Sequence, residues 1–238
     1  MNQHTSYYRD LHKDGNIPQP HIDYLYAMRD TLQIQPRVIY DVGAAVLHWT
    51  KNAKQVWPAA TIIAFDALAE LDEFYANSGV ASHIGLLSDT PGREVTYYAH
   101  PLHLGGNSYY KENVQWSPAA AEIYDEKSER KCFTDTLDRI VVGRKFPRPD
   151  MIKFDVQGAE LDILRGMPNV LQHVQHMIVE LQHVEYNIGA KQVQESIPFI
   201  EQLGFRLQSP RAVRPDSVDL YFCGNGPDAD YHFVRNTQ

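Results

Sequence analysis

Apolar positions along the chain change period several times, and each change marks an element. Continuous apolar runs at Val38, Ile39, Tyr40 and Val42 and at Thr61 to Phe65 have the length of buried strands, and Met151 to Val156 and Met177 to Leu181 repeat the pattern later. Helical spacing intervenes: Ile22, Leu25, Met28 and Leu32 predict a helix ending before Pro36, residues about 50 to 57 one stopped at Pro58, and Leu68, Leu71, Phe74 and Tyr75 one stopped near Gly79. Leu161, Leu164, Met167 and Leu171 predict another, and Val193, Ile197, Ile200 and Leu203 a last one kinked at Pro198. Strands alternating with helices predict an α/β fold with a mainly parallel sheet and right-handed crossovers.

Other stretches depart from that alternation. Val80 to Leu87 reads as a third strand, Asp89-Thr90-Pro91-Gly92 as a turn, and Arg93 to Ala99 as an added hairpin strand. Residues 100 to 130 are irregular, rich in aromatics and histidine around Gly105-Gly106, and suit an insertion or lid over a site. Phe205 to Leu207 and Val218 to Cys223 have no helix between them and predict an antiparallel pair. The polar first twenty residues end in Pro18 and Pro20 and read as a lead-in arm, so residues 1–35 form an arm and a helix, and residues 36–238 one α/β domain.

Composition narrows the function. The 238 residues carry 22 Lys and Arg against 30 Asp and Glu, a net charge of −8, which argues against a nucleic-acid coat. The two cysteines make neither a zinc site nor a disulfide framework. No 18-residue apolar stretch and no apolar signal core are present, so a soluble cytoplasmic protein without a membrane span is expected.

In an open parallel sheet, ligands bind at the carboxyl ends of the strands, near the switch point. After the first strand comes Asp41-Val42-Gly43-Ala44-Ala45, whose lone glycine does not make the G-x-G-x-x-G run of a dinucleotide site. S-adenosylmethionine (SAM), which carries no phosphate, needs only one close backbone approach and a nearby acid. Asp66 ends the second strand, 25 residues after Asp41, where it can accept ribose hydroxyls or cap the following helix.

Ile152-Lys153-Phe154-Asp155 leads into DVQGAELDILRG. Together with VIYDVGA, Thr136-Leu137-Asp138 and Ile178-Val179-Glu180, this stretch resembles the FkbM-type methyltransferases over about residues 36 to 223. The resemblance implies a Rossmann-like class I methyltransferase fold, a seven-stranded mixed sheet with an antiparallel last strand pair, and SAM-dependent O-methylation of sugar or polyketide-type hydroxyls. Asp41, Gly43, Ala44 and Asp66 would then hold SAM, with Leu87 and Ser88 near the adenine. In one departure, Leu47 occupies the place, four residues after Gly43, where such loops commonly carry a second glycine.

Methyl transfer to oxygen calls for a base or a metal to assist loss of the hydroxyl proton. Asp155 and Glu180 end neighbouring predicted strands, with His183 just beyond. The three form a catalytic constellation that would also suit Mg²⁺ or Mn²⁺, and the sequence does not separate base from ligand. Tyr109, Tyr110 and Trp116, interleaved with His100, His103 and Asn107, offer an acceptor wall for a sugar-like ring. The expected acceptor is a carbohydrate or glycan. A polyketide-type metabolite, a non-catalytic SAM or nucleoside-binding module and, last, a NAD-dependent oxidoreductase are the alternatives. The oligomeric state is left open.

Overall fold

The computed structural model describes residues 4–208 and 227–236. Helices α1 (Thr5–Asp14) and α2 (Gln19–Asp30) lead into β1 (Val38–Val42), α3 (His48–Val56), β2 (Thr61–Asp66), α4 (Asp72–Ala76), β3 (Ala81–Ile84), β4 (Leu86–Leu87) and β5 (Glu94–Tyr98). Then follow α5 (Ala120–Ile123), β6 (Glu129–Asp135), α6 (Leu137–Arg144), β7 (Met151–Phe154), α7 (Glu160–Arg165), α8 (Pro168–Leu171), β8 (His176–Gln182), α9 (Val193–Gln202), β9 (Phe205–Leu207) and β10 (Asp228–Arg235).

The main sheet has seven strands in the order β3-β2-β1-β7-β8-β10-β9. Its first five strands pair in parallel, and β10 runs antiparallel to both β8 and β9. This is the class I methyltransferase fold. Strand periodicity divides the core: Tyr40 and Val42 of β1 pack with Leu161, Leu164 and Leu171 on one face, while Ile39 packs with Leu25, Met28 and Trp57 on the other. Among the described residues no helix is long and apolar enough to cross a membrane.

Several sequence expectations are corrected. The polar first residues are not a mere arm, because α1 buries Tyr8 against Phe74 and the Tyr8 hydroxyl donates to the Pro101 carbonyl at 2.9 Å. The expected strand Val80 to Leu87 breaks at Gly85, where the chain leaves the main sheet. Its β4 end pairs with β6 in a second sheet, β4-β6-β5, so Arg93 to Ala99 finds its antiparallel partner in β6 and not in a hairpin with the third strand. The helix over 161–171 is cut into α7 and α8, since Gly166 ends the first and Pro168 starts the second. Val218 to Cys223 lies outside the described residues, and the strand that pairs with β9 is β10.

Candidate active site

The chain turns from β1 toward β2 and β3 on one side and places β7 and β8 on the other, so the switch point lies between the carboxyl ends of β1 and β7. Gly43 follows β1 with φ +83°, and its N–H and that of Ala44 donate to the Phe65 carbonyl at 2.9 and 3.0 Å. Its missing side chain is required by a neighbouring backbone, the carbonyl of Asp155. Ala45 turns onto the cavity while Ala44 packs into the core. Leu47 has φ +64° and is 1% exposed, packed with Tyr8, Leu68 and Phe74. The loop thus keeps a glycine-like backbone at this position and directs the leucine away from the cavity.

That cavity is partly open to solvent. Phe65, Leu87 and Ile163 give it apolar walls, and Asp66 brings a carboxylate to it. The Asp66 oxygens accept N–H groups from Ala45 at 2.8 Å and Leu68 at 2.9 Å, which staples the loops after β1 and β2. Burial pushes this carboxyl above its usual range, against the backbone N–H groups that favour its charge. Apolar faces beside a carboxylate are what an adenosyl group would need. Asp41, by contrast, is fully buried off the cavity, accepting from the Thr50 hydroxyl at 2.6 Å with Lys153 Nζ at 4.0 Å. Ser88 is buried behind the wall, accepting from Arg93 at 2.7 Å.

Asp155 follows β7 and faces the cavity with a side chain 35% exposed. Its Oδ2 accepts from Lys153 Nζ at 2.7 Å and its Oδ1 from the Gln157 amide at 3.0 Å; the same amide nitrogen donates to Glu180 Oε2 at 2.7 Å. Burial opposes ionisation of Asp155, but the Lys153 ammonium and hydrogen bonds from Lys153, Glu180 and Gln157 outweigh it and hold the carboxyl below its usual range. Glu180 goes the other way: burial first, then the negative charge of Asp155, Asp228, Asp230 and Glu160, raise it well above. The two neighbouring carboxyls are thus pushed in opposite directions, the separation expected of an acid–base pair.

Glu180 and His183 stand back from the cavity wall. The His183 ring bonds the Tyr231 hydroxyl at 2.8 Å, so Asp155 and Glu180 come together without it. Among the described residues no three His, Cys, Asp or Glu side chains gather as an ion site. The physical reason is that His183, the third residue of the expected set, is held by the Tyr231 hydroxyl away from Asp155 and Glu180. Tyr109 lines the cavity, and its hydroxyl donates to Asp162 at 2.8 Å and lies 3.2 Å from Ser88 Oγ. Tyr110 donates to the same Asp162 oxygen at 2.8 Å, with the two rings 4.9 Å apart. Trp116 is 47% exposed and not on the wall.

Sequence reasoning missed Gln157 and Lys153. Gln157 has φ +55°, an uncommon conformation for a side-chain-bearing residue, and it precedes Gly158 at φ +97°. The one available signal was a charged residue, Lys153, inside an otherwise apolar strand.

Residues 41–207 match the family model described as the Methyltransferase FkbM domain. Methyltransferase 1 of Beauveria bassiana is 29% identical over 165 residues, covering 60% of this chain and 64% of that protein. Hexuronic acid methyltransferase AglP of Haloferax volcanii is 46% identical over 44 residues, 18% of each chain. The chain spans less than two thirds of the length of these curated relatives. Among solved structures, precorrin-6y C5,15-methyltransferase from Geobacter metallireducens aligns with a TM-score of 0.46 at 11% identity, over 93% of this chain and 90% of that one. The domain match covers most of the chain and both sides of the switch point, and on that basis the chain belongs to the FkbM methyltransferase family.

Proposed function

We propose that the protein is a SAM-dependent O-methyltransferase acting on a hydroxyl of a carbohydrate or glycan. The observation that carries this reading is the Asp155 carboxylate, set on the cavity at the switch point by Lys153 and by Gln157, which also holds Glu180 beside it. SAM supplies an electrophilic methyl group on a sulfonium. Phe65 and Leu87 give the adenosyl group apolar faces, and Asp66 accepts its ribose hydroxyls. Asp155 accepts the hydrogen bond of the incoming hydroxyl and takes its proton as the new carbon–oxygen bond forms and the sulfur–methyl bond breaks, its electron pair leaving with the neutral thioether; the proton transfer is worth about 10² to 10⁴ in rate. Its low proton affinity is no obstacle, because the hydroxyl becomes acidic only as that bond forms. Gln157, bridging Asp155 and Glu180, keeps the base aimed at the cavity.

A sugar acceptor is favoured by Tyr109 on the wall with polar Asn107 and Ser108 beside it, since sugar rings stack on aromatic faces while their hydroxyls need partners. The short match to a hexuronic acid methyltransferase points the same way. The test is methyl transfer from labelled SAM to a panel of glycans and hydroxylated metabolites. Glycan methylation, with Asp155→Asn reducing kcat by about 10²- to 10⁴-fold while SAM still binds, is the expected result. SAM binding without turnover on any acceptor would make the protein a binding module, and methylation confined to polyketide-type hydroxyls would reassign the acceptor. Activity is expected to survive exhaustive chelation. Loss restored by Mg²⁺ or Mn²⁺ would instead make Asp155 and Glu180 ligands.

A further inference from the structure

A second cleft, open to solvent, lies between α1 and α3, against the starts of β2 and β3. Leu47 and Thr50 line it whereas Gly43 and Ala45 line the first cavity, so the glycine loop and the start of α3 divide the two. Helix α1 brings Arg9 to the cleft, with His12 on the same wall, and helix α3 brings Lys51 and Lys54, one turn apart. Among the described residues that line the cleft there is no carboxylate.

The ammonium groups are oriented without being neutralised. Lys51 Nζ donates to the carbonyls of His12 at 2.9 Å and Gly15 at 2.8 Å, and Lys54 Nζ to that of Ala60 at 2.8 Å. Carbonyls are dipoles and leave the full positive charges in place. Like charges at this helical spacing repel, and they are concentrated here in a chain whose net charge is −8. The cleft is therefore a local positive field on an acidic protein, with low-dielectric walls that focus it.

We propose that this cleft binds a diphosphate-bearing anion, at a site separate from the methyl-donor cavity. One anionic group would face Arg9 of α1 and the other the Lys51 and Lys54 ammonium groups of α3. An occupant would clamp α1 to α3. Helix α1 already holds the glycine loop, through His12 Nδ1 to the Val46 carbonyl and His48 Nε2 to the Leu11 carbonyl, both at 2.7 Å.

Calorimetry on the full chain with inorganic pyrophosphate tests this, with uridine diphosphate in a second arm. Binding is expected, weakening with salt. The double variant Arg9→Gln/Lys54→Gln should weaken it about ten- to hundredfold per lost charged contact, while SAM affinity is unchanged. Equal affinity for both probes identifies the diphosphate itself as the ligand, and tighter binding of uridine diphosphate identifies a nucleoside diphosphate. If the double variant melts early, Arg9→Gln alone, at an exposed position, and Lys54→Arg decide the matter: the first should weaken binding and the second preserve it. No heat with pyrophosphate at millimolar concentration, undiminished affinity in folded variants, or displacement of pyrophosphate by SAM would overturn the proposal.

Discussion

A β-carbon on Gly43 would lie 1.7 Å from the carbonyl oxygen of Asp155. The loop that shapes the proposed donor cavity and the loop that carries the proposed base are thus in backbone contact, and one residue's lack of a side chain sets their separation. Gly43→Ala is expected to cost about 1–3 kcal/mol for the left-handed backbone alone, to push the loops apart, and to lower SAM affinity. Gly79→Ala is the control: φ is +74° there, but nothing lies within 4 Å of the added carbon. Urea unfolding and SAM calorimetry compare the two, and equal losses would remove the steric argument.

Asp66→Ala should lose both stability and cofactor affinity. The N–H groups of Ala45 and Leu68 would each lose an acceptor, at about 1–3 kcal/mol per buried group left unpaired, and SAM binding should fall about ten- to hundredfold. Asp66→Asn, which keeps an acceptor oxygen, should fall between. Parent-like SAM affinity in folded Asp66→Ala would reduce Asp66 to a loop staple.

Tyr109 and Trp116 should separate cleanly. Tyr109→Ala removes the ring on the cavity wall, so acceptor KM should rise while SAM affinity persists. Trp116→Ala, at a half-exposed site off the wall, should change stability by less than about 0.5 kcal/mol and leave KM alone. A KM effect confined to Trp116 would move the acceptor outside the cavity.

The pH dependence of stability should carry the signature of two buried histidines. His232, which accepts or donates a 2.8 Å bond with the Tyr24 hydroxyl and lies 3.2 Å from His176, is pushed down to about 3 by burial, then by His176 and Arg206. Burial lowers His176 to about 4. Below pH 6.5 the unfolded chain therefore binds protons that the folded one refuses, so stability rises with pH from about 3 to 6.5 and is lost as pH falls through that window. Melting temperatures across the window should show a shallower acid limb in His232→Gln. Glu160, raised to about 7 by burial, acts oppositely between its ordinary value and neutrality, which is why the comparison between variants is the informative one.

The strands of the sheet centre were legible because burial on both faces writes an uninterrupted apolar run, as at β1, β2, β7 and β8. Strand β6 was not, since Glu129–Asp135 is largely exposed and its pairing with β5 follows from the turn at Gly85. Helix α1 escaped notice because one deeply buried residue, Tyr8, anchors an otherwise polar segment. At the site, Asp155 and Asp66 could be placed by their positions after strands. Asp41 follows the same logic but is turned inward, and nothing in a linear pattern reports which way a carboxylate at a strand end is turned. Gln157 depends on a backbone conformation that glutamine rarely adopts, so its bridging role is visible only in three dimensions.

Strand β10 lies between β8 and β9, although it follows both in the chain. During synthesis the edge of β8 therefore stays open, and β9 lacks its neighbour in the sheet, until residues 228–235 emerge. An uncovered apolar strand edge is a template for pairing with other chains. Expression of the protein cut before Asp228 should give aggregates instead of a weakened enzyme, and ribosome-bound chains should gain protease resistance late, in one step, when that strand slots in.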